Sequence, residues 1–276
     1  MHSKIGTRNP GRSAPRVSLL CFLPALCFLP AAAGTLSPPP PGQPPTVASV
    51  QIFGLQGVAE EQARAAIGLK PGDDYSTERL ERDRKALVGL GYFRRVGATG
   101  QVLGAKVLVR FETVEWPRVA HIRVEGNTVV DLRSVYGVIT SQRGQVMQVI
   151  RLQQDIQAIE RLYRERGYVA RVSDTLIREA TESGILRFRI LEARLERLEF
   201  VGGDSELQQR CRAGLRERPP ALYRPEAVAR DQQRLLDVRG VRTARPVAEP
   251  AGPGRVTLRW FLNAAVPAPA APQDGG

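Results

Sequence analysis

Cysteine and histidine are close to missing from this chain, and their scarcity removes whole classes of chemistry. Of the three cysteines, Cys21 and Cys27 lie before residue 34 and only Cys211 lies beyond it, so the body of the chain can close no disulfide of its own. The two histidines are His2 and His121. One imidazole in the body makes neither a zinc centre nor a catalytic triad. Neither a phosphate-binding glycine loop nor a dinucleotide fingerprint is present; the glycines are spread along the chain. Glu112 with Glu115, and Glu192 with Glu196, fall near one another, but a glycosidase pair needs a cleft that nothing in the pattern supplies. Asp73-Asp74, ahead of Tyr75-Ser76, reads as a solvated loop before a helix cap. We therefore expect no catalytic residue, no metal and no cofactor. After residue 33 an apolar run of membrane-spanning length is also missing.

The segment before residue 34 has the character of an export leader. Lys4, Arg8, Arg12 and Arg16 stand without an acidic residue, and Val17 to Ala33 is then apolar, broken by Pro24 and Pro30. This is the pattern of a cleavable secretory signal peptide over 1–33, with Ala31 and Ala33 as the small residues before the cut. Leu20 and Leu26 occupy the places where a lipidation signal needs a small residue before Cys21 or Cys27. Four of the 40 Lys and Arg, and none of the 28 Asp and Glu, belong to the leader, so its removal lowers the net charge from +12 to +8. That balance permits contact with anionic lipid headgroups or acidic polypeptides. Nucleic acid is not an expected partner. Export argues against it, and the adjacent Tyr92 and Phe93 fall on opposite faces of a strand, where they cannot stack bases side by side.

In place of catalytic motifs the chain has an internal repeat. Val50-Gln51-Ile52 with Gly54 recurs as Ile122-Arg123-Val124 with Gly126 and as Leu198-Glu199-Phe200 with Gly202. Asp83 recurs as Asp155 and Asp231 in the same register. Gly91-Tyr92 recurs as Gly167-Tyr168 and more loosely as Gly240-Val241, and Val114-Glu115, Leu191-Glu192 and Leu262-Asn263 close the copies. Within a copy, an alternating segment ending in glycine predicts a strand and turn. A short helix comes after it, roughly Ala59 to Ile67 in the first copy and Asp131 to Thr140 in the second. A longer helix comes next, with Leu152, Ile156, Ile159 and Tyr163 as its apolar stripe. Gly91, Gly167 and Gly240 stand where that helix stops. Two strands end the unit; Val107, Val109 and Phe111, and later Val256, Leu258, Trp260 and Leu262, alternate with neighbours facing the other way. The expected fold is α+β: three tandem β-α-α-β-β modules at 47–116, 117–193 and 194–263, each a small three-stranded sheet covered on one face by two helices. Glu115-Trp116-Pro117 and Glu192-Ala193-Arg194 join them without a flexible linker. A proline-rich tether is expected over 34–46 and a disordered tail over 264–276.

This pattern resembles the POTRA (polypeptide-transport-associated) domain, found in tandem in outer-membrane barrel-assembly and two-partner secretion proteins. The residues that carry the likeness are Val50 to Gly54, Gly68-Leu69-Lys70-Pro71-Gly72, Leu90-Gly91-Tyr92-Phe93 with Val96, Gly126-Asn127-Thr128, and Leu162-Tyr163-Arg164-Glu165-Arg166-Gly167-Tyr168. The resemblance implies a periplasmic protein, associated with the outer membrane, that binds unfolded or extended polypeptides by β-strand addition. It also implies that the exposed edge is the strand after the longer helix. Here that strand includes Tyr92, Phe93, Arg94, Arg95 and Val96 in the first copy, Tyr168, Val169, Ala170, Arg171 and Val172 in the second, and Val241, Arg242 and Thr243 in the third. Arg94, Arg95 and Arg171 would draw acidic clients, while Tyr92, Phe93 and Tyr168 serve packing, and Asp83, Asp155 and Asp231 bind local backbone. Family members usually continue into a membrane β-barrel. No such segment occurs here, so the sequence is that of a barrel-less accessory, working with a separately encoded outer-membrane barrel protein, or that of a piece of a longer protein. An envelope or cell-division scaffold without a transport role is the alternative reading.

Overall fold

The structure, a computed structural model, describes residues 43–173 and 184–264. The expected leader over 1–33, the proline-rich segment up to residue 42, Asp174 and the expected tail beyond Ala264 lie outside them. The elements run β1 (Thr46–Phe53), α1 (Glu60–Ala65), α2 (Thr77–Gly89), β2 (Phe93–Leu103), β3 (Lys106–Glu115), β4 (His121–Glu125), α3 (Leu132–Val138), α4 (Val149–Glu165), β5 (Ala170–Val172) and β6 (Ile185–Glu192). The third copy supplies β7 (Arg194–Val201), α5 (Ser205–Gly214), β8 (Ala221–Leu222), α6 (Pro225–Leu236), β9 (Val241–Gly252) and β10 (Arg255–Ala264). The copies thus build three α+β units, each with its own sheet and core.

In every unit the last strand is central. It lies parallel to the first strand and antiparallel to the one after the longer helix, giving the orders β1-β3-β2 and β4-β6-β5. The third sheet, β8-β7-β10-β9, has one strand more than the sequence predicts, because Ala221–Leu222 pairs with Arg194 and Leu195. The other two units make the same contact as a single bridge, Thr46 with Asp74 and Arg118 with Val146.

Side chains alternate across the central strand, so each sheet buries one face. Phe111, Phe188 and Trp260 hold equivalent places opposite Ile52, Val124 and Phe200, and all three are fully buried. In α4, Leu152, Ile159 and Tyr163 are buried against the second sheet and Ile156 packs half-buried beside them. Two polar devices recur. The carboxylate of Asp83 accepts from the N–H groups of Gly68 and Leu69, Asp155 from Thr140 and Ser141, and Asp231 from Arg216 and Glu217. Each thereby pins the loop between the two helices, as expected. The turn after the first strand is the other device: Gly54, Gly126 and Gly202 have φ of +89°, +85° and +86° and lie against the carbonyls of Thr113, Ile190 and Leu262.

Those carbonyl contacts correct one expected correspondence. Thr113, Ile190 and Leu262 are equivalent, so the position of Glu115 and Glu192 falls on Ala264 and not on Asn263, which is exposed. Glu115 and Glu192 cap the turn, accepting from the N–H groups of Gln56, Gly57 and Val58 and of Thr128 and Val129 respectively. The third turn lacks this carboxylate; there the Asp204 side chain caps α5 by accepting from the Leu207 N–H.

Glu192 also receives the hydroxyls of Thr128 and Tyr163. Burial opposes its ionisation, but the hydrogen bonds from Thr128, Val129 and Tyr163 prevail and hold its pKa below the ordinary 4.5. Burial, reinforced by this carboxylate, pushes the Tyr163 phenol up. A carboxyl whose folded pKa is depressed stabilises the fold fully above its unfolded value and loses that contribution as pH falls through the folded one. Glu192→Gln is therefore expected to destabilise the chain by about 2 kcal/mol at neutral pH. Urea denaturation across pH should show that difference shrinking below pH 4.5.

Candidate functional site

An unpaired sheet edge is the surface on which an extended chain can be added, so the site is defined by which backbone groups remain unclaimed. The first strand of each unit is closed from its start. Val47 donates its N–H to the Asp73 carbonyl and accepts from Gly72; Val119 does the same with Gln145 and Gly144, and β8 takes this place in the third unit. Further along, a side chain from the short helix reaches the strand's carbonyl at the same register: Arg64 to Val50, the Tyr136 hydroxyl to Ile122, and Arg212 to Leu198. These caps were not legible in the sequence, since an arginine, a tyrosine and an arginine share only the ability to donate.

The strands after the longer helix, β2, β5 and β9, form the opposite edges. In β5 the Val169 carbonyl accepts from Ala193 and the Ser173 N–H donates to Arg189, which turns Ala170 and Val172 outward. The Val172 N–H is already taken by the Glu160 carboxylate at 3.2 Å. By the equivalent register β9 presents Ala244, Pro246, Ala248 and Pro250 outward. Two of these have no N–H, and the Ala244 carbonyl accepts from Gln232 at 2.8 Å. In β2, Trp116 donates to the Tyr92 carbonyl, so alternation along β3 places Val96, Ala98, Gly100 and Val102 outward. Their backbone groups have no partner among the described residues, and no proline interrupts the strand. A bulge between Phe93 and Arg95 marks its start.

The structure divides the predicted edge residues accordingly. Phe93, Val96 and Ala170 are buried, and Tyr92, Tyr168, Val172 and Val241 pack half-buried against the cores. Tyr92, Tyr168 and Val169 precede their strands, because the helix-to-strand connection spends one or two residues in turning, although the Tyr92 and Val169 carbonyls already accept from Trp116 and Ala193. Arg94, Arg95, Arg171, Arg242 and Thr243 are exposed. None of the four arginines has an ion-pair partner among the described residues. His121 is exposed, whereas Cys211 is buried and its thiol is pushed up by that burial. Among the described residues no three His, Cys, Asp or Glu side chains converge, and no helix is long and apolar enough to cross a membrane.

A sequence model of the POTRA family, described as "Surface antigen variable number repeat", matches residues 45–112 and 117–193. The chain belongs to the POTRA family. Its third unit, which that match does not include, repeats the POTRA strand order and the buried aspartate of the other two. Two solved structures share the fold over 80% of the chain. One is the N-terminal domain of Omp85 from Thermosynechococcus elongatus, at 21% identity and a TM-score of 0.62 over 97% of that structure. The other is POTRA1-3 of the periplasmic domain of Omp85 from Anabaena, at 20% identity and a TM-score of 0.64 over 96% of that structure. In sequence, the outer membrane protein assembly factor BamA of Nitratidesulfovibrio vulgaris is 27% identical over 128 residues, 46% of this chain. The match spans 16% of that relative's length.

Proposed function

We propose that this POTRA protein is a non-catalytic periplasmic polypeptide binder, associated with the outer membrane, that assists outer-membrane protein assembly or secretion by accepting an extended client strand on β2. The observation that carries the proposal is the contrast among edges. The first strands are capped, β5 is short and has one donor claimed, β9 is interrupted by Pro246 and Pro250, and β2 alone offers an uninterrupted set of outward groups among the described sheets. Arg94 and Arg95 at its start favour acidic clients. The names of the relatives support the direction of the reading, since one is an assembly factor and another a periplasmic domain. The partner implied is an outer-membrane β-barrel protein, met as an unfolded client or as a companion.

Ala98→Pro tests it. Proline there removes an outward donor in the middle of β2 and no bond of the β2–β3 ladder, so the fold should survive. Capture of an unfolded β-barrel precursor, diluted from urea onto the immobilised chain, is expected to weaken by about tenfold or more, the equivalent of one or two strand hydrogen bonds. Undiminished capture by a variant with intact circular dichroism would refute the β2 edge as the docking site.

A further inference from the structure

The two joints between successive units are built differently. At the first, Trp116 donates its backbone N–H to Tyr92 at 2.9 Å and Pro117 accepts from Met147 at 3.0 Å. At the second, Ala193 performs both tasks, donating to Val169 at 2.8 Å and accepting from Tyr223 at 2.7 Å. One methyl group thus stands where the first joint has an indole and a pyrrolidine ring. Trp116 packs against both the first and the second core. Ala193 instead lines a cavity of about 240 Å³, walled by Val169, Leu191, Tyr223, Pro250 and Val256. The first joint is further tied by the Val149 N–H, which donates to the Gly91 carbonyl; the matching residue at the second joint is Pro225, which has no N–H to give.

We propose that this cavity is a docking pocket for one aromatic side chain of a bound polypeptide, with a carboxylate beside it. The inference rests on the reading of the chain as a polypeptide binder and adds a second, side-chain-reading site to it. The repeat itself indicates the occupant, since Ala193 stands at the position where the counterpart joint carries an indole that packs against two cores. The volume suits a single ring, falling short of the roughly 300–1,000 Å³ of pockets for drug-sized ligands. Two cations also line it. Arg255 is engaged with Glu196, whereas Arg171 is exposed and has no partner among the described residues. The lining carboxylate, Glu249, is held by Arg259 at 2.9 Å. Ala170, which also lines the pocket, turns its backbone outward beside it, where a passing chain finds a hydrogen-bonding partner.

The test uses the full chain with isotope-labelled valine and leucine methyls. The probes are N-acetyltryptophanamide and two extended ten-residue peptides that differ only in a central Trp-Glu or Ala-Glu pair. Saturable shifts at Val169, Leu191 and Val256 are expected with the amide, and about tenfold tighter binding of the Trp peptide. Ala193→Trp, which restores the indole of the first joint, should erase both, and Ala193→Leu should do so in part if the larger side chain perturbs folding. Arg171→Gln should weaken binding of the Trp-Glu peptide. Equal binding of both peptides without methyl shifts would overturn the pocket and leave the β2 edge standing. Amide-induced shifts erased by Ala193→Trp, with neither peptide bound to β2, would support the pocket and overturn the edge. Shifts produced by short-chain phosphatidylglycerol but not by the amide would also overturn the proposal, assigning the cavity to lipid.

Discussion

Gly126→Ala is expected to destabilise the second unit by about 3 kcal/mol or more. Two costs combine at this residue. Its φ of +85° is one that an L side chain occupies only with strain, about 1 kcal/mol for alanine. A Cβ there would also stand 2.2 Å from the Ile190 carbonyl oxygen, a contact that can be relieved only by parting β4 from β6. Gly144→Ala separates the two contributions. Its φ is +84°, nearly the same, yet a Cβ would meet nothing within 4 Å, so only the backbone cost of about 1 kcal/mol should appear. Urea denaturation of both variants gives the comparison directly. Equal destabilisation would show that the close approach to Ile190 carries no weight.

Asp155→Ala should cost about 3 kcal/mol, a large part of the 5–15 kcal/mol by which most domains are stable. The carboxylate is fully buried and accepts the Thr140 N–H and hydroxyl at 2.7 Å and the Ser141 N–H at 3.0 Å. Removing it strands three part-buried donors at once, whereas Asp155→Asn keeps one acceptor oxygen and should cost about 2 kcal/mol. The loop that these bonds hold also supplies the partners of Val119, so amide exchange of Val119 and Met147 should accelerate together with that of Thr140. Slow exchange at Val119 in the alanine variant would mean that the strand keeps its loop without the aspartate.

Much of this architecture was legible in the sequence because its landmarks are residues with few substitutes. Only glycine tolerates the turn at Gly54, Gly126 and Gly202, and the aspartates keep one distance from the loops they hold. The last strands escaped the same alignment. Gly91-Tyr92 leads directly to a strand beginning at Phe93, while in the second copy Val169 intervenes between Gly167-Tyr168 and the strand that begins at Ala170. A register anchored on glycine-tyrosine therefore falls one residue short in the second copy, setting Arg187 in place of Phe188 against Phe111, and a register anchored on Asp83 and Asp231 falls one short in the third, which moved the closing glutamate onto Asn263. The difference between edges was half visible. Pro246 and Pro250 announce a blunted strand on inspection, since each lacks a donor. The Glu160 and Gln232 contacts do not, because they depend on how closely a helix passes a strand twelve residues away.

The blunting of β5 and β9 also sets a valency. A chain with several open edges is multivalent and can add copies of itself without end, the geometry of fibres. Among the described sheets this chain has one fully open edge, so two copies meeting β2 to β2 would consume the growth point of both and stop as a closed pair. If clients dock on β2 as proposed, self-association competes with strand addition for that edge. A client strand on β2 would then block that pairing just as a second copy does, so neither state leaves a β2 edge from which a polymer could grow.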